Sequence, residues 1–442
     1  MNDYFDTIIV GAGVSGCVVA YILSKAGYNI LLLEKKSLED VGHNWWDAVE
    51  KNIFDQFKYP ELIPNFNELF KTTPITFYTS KFKKIGTIEP DDLNLYRKKY
   101  SQRIISLLKD IGVNIQGNME ALSPIIEDKF VEGVVIKSLK DNSILKMRSK
   151  IVVDASGLNA VIRKKFGESS YWNDHISEGD IMIAYREIRN KIKNGESEFK
   201  TYFGYKRGIF WENYSQDGLV DFFGGLPLRK NIKQPNPKDL VYHLIKRNKC
   251  IGEKIVMGGY IAKLPIRRCL DSFVGNGLVI IGDAAFQTNP LNGCGVASCI
   301  NAALIASDVI SKALQKKDFS IKQLWEYNVK YIRNRGAEFA ALDIIKKFLI
   351  NLTEYEIHFL FDKKILKIAD IKSGYNYKPI KLETFDMIGR IIRGISRFDL
   401  LLKLNRVINI SNKIFQLYKE YPESYGGKFI EWKTKTNKYF NR

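Results

Sequence analysis

Apolar and polar positions fall into three regimes along the chain. The first opens with a short apolar run, Ile8-Ile9-Val10, that reads as a buried strand, followed by a helix-like run from Cys17. A second apolar run over residues 29–33 ends in Glu34. Residues 60–90 alternate weakly, as at Ile75-Thr76-Phe77-Tyr78, and predict strands outside that first unit. Pro90 among Glu89, Asp91 and Asp92 predicts a helix start, and the helical spacing of Ile104, Ile105, Leu107 and Leu108 carries a helix over 93–110 to a stop at Gly112. Runs at 113–115 and 133–136, a turn at Asp141-Asn142 and a buried run at 151–154 fit a β-meander inserted into an α/β sheet.

From about 168 to 270 the pattern changes to aromatic-rich strands at 181–185, 201–205, 208–211 and 219–224. They predict a mostly antiparallel sheet with one apolar face free for a ligand or a domain interface. Residues 277–282 read as another buried strand, followed by a Pro/Gly loop and a small-residue helix over 296–311. Beyond 320 the pattern is helical: 324–335, 337–352 and a basic amphipathic region over 385–418. The expected fold is α/β: a Rossmann-like nucleotide-binding domain with an inserted β-meander, a mostly antiparallel β substrate lobe, and a C-terminal helical region. The expected boundaries are 1–40 with 91–167 and 272–330 for the first, 41–90 with 168–271 for the second, and 331–442 for the third.

Three glycines lie between the first strand and the first helix, Gly11-x-Gly13-x-x-Gly16, at the spacing of the dinucleotide fingerprint. Gly11 permits a tight turn, Gly13 lets backbone approach a pyrophosphate, and Gly16 lets helix pack on strand. The helix N-terminus offers free N–H groups to phosphate, and Glu34 stands where a carboxylate accepts ribose hydroxyls.

Composition changes the picture in two ways. The 442-residue chain is 45% hydrophobic, ordinary for a globular protein, yet carries a net charge of +19. Such a field suits an anionic membrane surface or a phosphorylated substrate, or reflects a lysine-rich solvated surface. No basic segment is interleaved with aromatics as in a nucleic-acid module, so nucleic acid is not expected as a partner. Five cysteines without a CxxC pair and four scattered histidines support neither a disulfide framework nor a zinc site. With a strand from residue 5 and no apolar run near eighteen residues, the expectation is a reduced cytoplasmic protein without a spanning helix.

Candidate chemistry lies in four further places. Gly42-His43-Asn44-Trp45-Trp46-Asp47 can stack on a flat ring and set an acid or base beside it, or serve as a packed loop with a polar rim. Asp283, after the 277–282 strand, can accept hydrogen bonds from sugar hydroxyls, and the helix N-terminus near Gly295 can stabilise negative charge. Cys294 and Cys299 read as small packing residues. In the C-terminal region Ile388, Ile391, Ile392 and Ile395 alternate with Arg390, Arg393 and Arg397, a pattern that suits a membrane surface and, as the commoner case, a helix capping the domain.

Taken in order, Gly11-x-Gly13-x-x-Gly16, Asp154-Ala155-Ser156-Gly157 and Gly282-Asp283-Ala284-Ala285 with Pro290, Gly293 and Gly295 resemble the FAD-dependent oxidoreductases of the p-hydroxybenzoate hydroxylase type, and most of all their geranylgeranyl reductase branch. The resemblance covers about residues 1–335. It implies non-covalent FAD, with Gly11, Gly13, Gly16, Glu34 and Arg97 holding the ADP half. Asp154, Gly157 and Gly282 belong to the same set, Asp283 to the ribityl or pyrophosphate region, and Pro290 to Gly295 to the isoalloxazine. The branch's Cys-Gly-Gly segment is replaced by residues 42–50, and of its Tyr-x-Trp-x-Phe-Pro segment only Trp211 is kept. The implied activity is reduction of carbon–carbon double bonds in a prenyl or lipid-like substrate, with His43 or Asp47 (or water) as proton donor and Trp46, Phe210 and Trp211 as pocket walls. The electron donor is left open, with NAD(P)H and ferredoxin as candidates. A flavin monooxygenase acting on a hydrophobic or aromatic substrate is the alternative, and a non-enzymatic flavoprotein that senses redox state or serves as a membrane-docked scaffold is a third reading.

Overall fold

A computed structural model describes residues 4–167, 172, 176–192, 198–215, 217–229, 233–248, 250–378 and 384–440. The residue at which the aromatic region is expected to begin, 168, lies outside these. The N-terminal stretch forms β1 (Tyr4–Val10), α1 (Val14–Lys25) and β2 (Ile30–Leu33). Five short strands follow: β3 (Trp46–Glu50), β4 (Leu69–Lys71), β5 (Ile75–Thr79), β6 (Lys84–Ile88) and β7 (Asp92–Tyr96). Then come α2 (Arg97–Asp110), β8 (Asn114–Gln116), β9 (Met119–Glu127), β10 (Phe130–Ser138) and β11 (Ile144–Asp154). The aromatic region supplies β12 (Ile181–Lys191), β13 (Phe199–Phe203), β14 (Ile209–Tyr214), β15 (Leu219–Pro227), α3 (Pro237–Arg247) and β16 (Ile251–Pro265). Next are β17 (Val274–Gly275), β18 (Leu278–Ile280) and α4 (Val296–Lys316). The remaining helices are α5 (Ile321–Tyr331), α6 (Ala337–Asn351), α7 (Glu354–Asp362), α8 (Ile368–Tyr375), α9 (Thr384–Gly394), α10 (Phe398–Lys419) and α11 (Gly427–Phe440).

Among the described residues these strands make three sheets. The first runs β17-β18-β11-β1-β2-β8, parallel from β18 to β8, with β10 and β9 added antiparallel on β11. Its central strands are buried on both faces, β2 at all four residues, and Ala121, Val134 and Ile136 of β9 and β10 share their core with α1. β11 serves three partners: Ile144–Arg148 pair with β10, Arg148–Asp154 with β1, and Val152–Asp154 with β18. The second sheet runs β16-β12-β15-β14-β13-β5-β6 and is antiparallel except for β13 on β5. The third is small, β3-β7-β4.

Local signals misplace two helix starts. The helix expected from residue 93 begins at Arg97, because Asp92–Tyr96 pairs with both β3 and β4. The alternation Asp92-Leu93-Asn94-Leu95 is a strand pattern, and tertiary pairing overrides the acids beside Pro90. The first helix begins at Val14 rather than Cys17, directly after Gly13. α4 is the one described helix long and apolar enough to cross a membrane, yet 61% of that window is buried inside the molecule, where it packs on α1.

Candidate functional site

Parallel pairing brings the three glycine-bearing motifs to one edge. Val10 stands beside Asp154 and Leu33, and Asp154 beside Ile280, so the loops after β1, β2, β11 and β18 leave the same carboxyl end. Open α/β sheets bind ligands at such an edge. Gly11 has φ +106°, and a Cβ there would lie 2.4 Å from the Ala155 carbonyl oxygen. A Cβ on Gly16 would lie 2.1 Å from the Gly11 carbonyl oxygen, and one on Gly282 would lie 2.9 Å from Ser15 Oγ. Those three glycines let protein meet protein. Gly13 and Gly157 differ, since a Cβ at either meets nothing within 4 Å.

The empty side of Gly13 faces the start of α1, which has no side-chain cap and no acid in its first turn. α4 likewise starts uncapped at Gly295, without an acidic first turn. Two helices therefore present free N–H groups and partial positive charge along this edge. Glu34 accepts the Ala12 N–H at 2.9 Å and the Lys36 N–H at 2.9 Å, which fixes its carboxylate beside the glycine loop. This set fits a dinucleotide: an open approach at Gly13, donors for phosphate and a carboxylate for ribose.

Asp154 stands apart from the expectation that it touches the cofactor. Its carboxylate accepts from Ser156 Oγ and N–H on one oxygen and from the Ile162 and Arg163 N–H groups (3.2 and 2.8 Å) on the other. Fully buried, it shapes the loop that carries Gly157. Asp283 is half-buried and accepts from Thr288 Oγ at 3.0 Å. Burial pushes its carboxyl up, while Thr288 and Arg97 pull the other way. Pro290 is buried, and Gly293, at φ +73°, leaves room for Leu264 of the second sheet.

Between the two large sheets lies a compact ionic cluster. Asp47 on β3 is bound by Arg97 (2.5 Å), the first residue of α2, and by Arg186 (2.6 Å) on β12. Arg186 also grips both oxygens of Asp221 on β15 at 2.8 Å, and donates to the Trp46 carbonyl at 2.5 Å. Trp211 donates its Nε1–H to Asp221 at 2.9 Å and stacks on Phe223 with centroids 3.8 Å apart. Burial raises the Asp47 pKa, but the two guanidiniums outweigh it and hold the group at about 2. His43 meets solvent on its outer edge, stacks on Trp45 (4.5 Å) and has its Nδ1 3.3 Å from the Tyr260 hydroxyl. Packing around the rest of the ring, then the charge of Arg97, press its pKa down to about 4. At neutral pH Asp47 is thus ionised and His43 neutral, and neither holds a readily donated proton. The two residues expected as proton donors thus lie in and beside this cluster, Asp47 ion-paired and His43 stacked on Trp45.

Two of the expected pocket walls face elsewhere. Trp46 is fully buried, edge-on against Phe70 (5.4 Å) and Tyr96 (5.7 Å) within the small sheet. Phe210 is also fully buried, under α3 with Tyr205 and Val241 around it. Successive strand residues point to opposite faces, so Phe210 turns away when Trp211 turns in. Trp211 remains half-buried at the junction of two apolar clusters, one around Met182 and Phe223, the other around Phe77 and Phe199. A cavity of about 240 Å³ adjoins the α4 N-terminus, lined by Ala48, Glu50, Asp92, Cys294, Gly295 and Tyr375. Sequence reasoning misses Arg186, Asp221 and Tyr375. The available signal is a charged residue inside an aromatic strand run, as at Val220-Asp221-Phe222, since such a residue is either paired or functional.

Residues 9–60 match the family of NAD(P)-binding Rossmann-like domains. The chain is 30% identical over 433 residues to a digeranylgeranylglycerophospholipid reductase of Sulfolobus acidocaldarius, covering 95% of this chain and 94% of that one. It is 25% identical to digeranylgeranylglycerophospholipid reductase 1 of Methanococcoides burtonii, over 89% and 93% of the two chains. Its fold is that of a geranylgeranyl bacteriochlorophyll reductase-like protein from Thermoplasma acidophilum, with TM-score 0.71, 18% identity and coverage of 91% and 99%. A flavin-dependent brominase shares the fold at TM-score 0.62 and 18% identity, over 90% and 99% of the chains. By the full-length identity to such a reductase, and with the three motifs gathered on one edge, this chain belongs to the geranylgeranyl reductase branch of the FAD-dependent oxidoreductases.

Proposed function

We propose that the protein reduces carbon–carbon double bonds in a prenyl lipid, using non-covalently bound FAD. The observation that carries this reading is the 30% identity along 95% of the chain to a digeranylgeranylglycerophospholipid reductase. Gly13, the α1 N-terminus and Glu34 hold the ADP half of FAD, and Gly157, Asp283 and the residues from Pro290 to Gly295 line the remainder. When bound and reduced, FAD supplies the hydride for the alkene.

The chain's own residues supply position and dryness. Trp211 and Phe223 form one apolar wall for the substrate. Asp47 ties Arg97 to Arg186 and so joins α2 to the second sheet, which makes it a positioning residue. His43 and Trp45 close the rim against Tyr260. Water is taken as the proton source in this reading, since Asp47 is committed to Arg97 and Arg186 and His43 to its stack on Trp45. The protein works at the inner face of a membrane, held there peripherally by its basic C-terminal helices.

The test is anaerobic. Chemically reduced holoenzyme mixed with a geranylgeranyl lipid in micelles should reoxidise, and mass spectrometry should find the lipid heavier by two hydrogens per reduced bond. Reoxidation only when oxygen is admitted, with oxygen recovered in the lipid, would overturn the reading in favour of a monooxygenase.

A further inference from the structure

The C-terminal α9 is built the wrong way round for a helix that caps a domain. Such a helix turns its apolar stripe to the core and its charges to water. Here Ile388, Ile391 and Ile392 are 50, 39 and 66% exposed, and Ile395, at the same helical spacing, is 69% exposed. Arg390 on the same helix is buried. Its guanidinium donates to Asp370 (2.7 Å), to Asp386 (2.7 Å) and to the Ile365 carbonyl (2.6 Å). The stripe continues past the turn, where Phe398 and Leu402 of α10 are 51 and 54% exposed.

This face is attached to the candidate site through α8. Ile368, Ile371 and Tyr375 of α8 pack on Ile75, Phe77, Ile88 and Phe199 of the second sheet, beside Trp211. Gly86 lets Ile368 approach, and Gly374 lies against Leu291 of the loop before α4. Tyr375 donates to Asp92 at 2.5 Å, on the wall of the 240 Å³ cavity. Arg390 grips Asp370 of α8, and Lys367 beside α8 pairs with Asp386 of α9. α8, on the wall of that cavity, and α9, with its exposed isoleucines, therefore form one ionically pinned unit.

We propose that α9 and the first turns of α10 are a docking face for an anionic lipid bilayer, and that α8 links that surface to the cavity beside Tyr375. Charge selects the occupant. Lys363, Lys364, Lys403 and Arg406 are exposed on the elements adjoining the stripe, while Asp386 and Asp399 are engaged by Arg390 and Arg397. An apolar stripe edged by basic groups inserts among acyl chains while lysines and arginines meet anionic headgroups. A second copy of this chain would bring positive rim against positive rim. Docking itself stands on the surface alone; the consequence for substrate entry rests on the prenyl-lipid reading.

The experiment uses the full-length holoenzyme and sedimentation with phosphatidylcholine vesicles, with and without phosphatidylglycerol. Wild type should sediment with the anionic vesicles and release as salt rises. The double variant Ile391→Asp/Ile392→Asp, on an exposed face, should keep its flavin spectrum and melting temperature yet bind about tenfold more weakly or worse. Lys403→Glu/Arg406→Glu should weaken binding to anionic vesicles and leave the weak binding to neutral ones unchanged. Turnover of a geranylgeranyl lipid should fall in vesicles and persist in detergent micelles for the isoleucine double variant. Equal sedimentation of wild type and that variant overturns the proposal, as does a vesicle-free dimer of wild type that the variant converts to monomer. Binding that behaves as stated with no turnover in either medium would leave docking standing and sink the proposed activity instead.

Discussion

The carboxyl edge of the parallel sheet and the inner face of the seven-stranded sheet border the same site, but they are made of different materials. The first is backbone: Gly11, Gly13, Gly16, Gly157, Gly282 and two uncapped helix starts leave space and N–H groups. The second is side chain: Trp211 on Phe223, and Arg186 between Asp47 and Asp221. A site made of missing side chains tolerates almost no addition. A site made of present ones can be trimmed, at a cost set by how much charge or apolar area is left without a partner.

Gly13→Asp sharpens the contrast most. Gly13 is the N-cap of α1 with φ −66°, and a Cβ there meets no protein atom within 4 Å. The carboxylate should cap the helix, adding about 0.5–2 kcal/mol of stability, while placing negative charge where phosphate belongs. The purified apoprotein should melt no lower than wild type and bind no FAD. Gly16→Ala should do the reverse, since its Cβ would lie 2.1 Å from the Gly11 carbonyl and must push α1 off the sheet. A Gly13→Asp protein that is still yellow would remove the nucleotide from this edge.

On the other face, Asp221→Ala is the severe change. It leaves the buried Arg186 with only Asp47 and the Trp46 carbonyl, and breaking one partner of a buried pair costs about 3–5 kcal/mol. Denaturant unfolding should register that loss, and FAD affinity in the surviving fraction should hold. A milder pair separates the two faces of β14. Phe210→Ala should lower stability by about 3–5 kcal/mol with KM unchanged, and Trp211→Ala should raise KM for a long prenyl substrate with a smaller stability loss. Equal KM shifts for both would mean that the substrate does not lie against Trp211.

This difference in material also explains what could be read in advance. Gly11 to Gly16, Glu34 and residues 282–295 are legible because backbone requirements force residue types at fixed spacing within one loop. The strands of the second sheet are legible as an aromatic, alternating set, and so is the C-terminal run of helices. Which face each aromatic takes is not, because Phe210 and Trp211 differ only in register against β15. The Asp47–Arg186–Asp221 cluster depends on pairings across 139 and 35 residues, which no local pattern encodes. The orientation of α9 is hidden for a similar reason: its sequence is amphipathic in either setting, and only the Asp370 partner for Arg390 shows which stripe faces inward.

The smallest expected effect is a pH profile, and it bears on the proton. An acid with the ordinary histidine pKa would make turnover fall as pH rises through 6 to 7. Packing and Arg97 hold His43 near 4, and Arg186 with Arg97 hold Asp47 near 2 against the opposing effect of burial. Neither group changes charge between pH 5 and 8 on those values, so kcat should be flat across about that range. His43→Ala should then lower kcat modestly and leave the profile flat, through loss of the stack on Trp45 alone. Stability follows the same values at lower pH. The Asp47 carboxylate contributes in full above about pH 4, its unfolded value, and that contribution is lost as pH falls through about 2. The depressed histidine acts earlier: below about 6.5 the unfolded chain binds a proton that the folded ring refuses, so stability declines from there until pH 4. A profile for wild type that steps near 6.5, and loses the step in His43→Ala, would return the proton to His43 and dismiss water as its source.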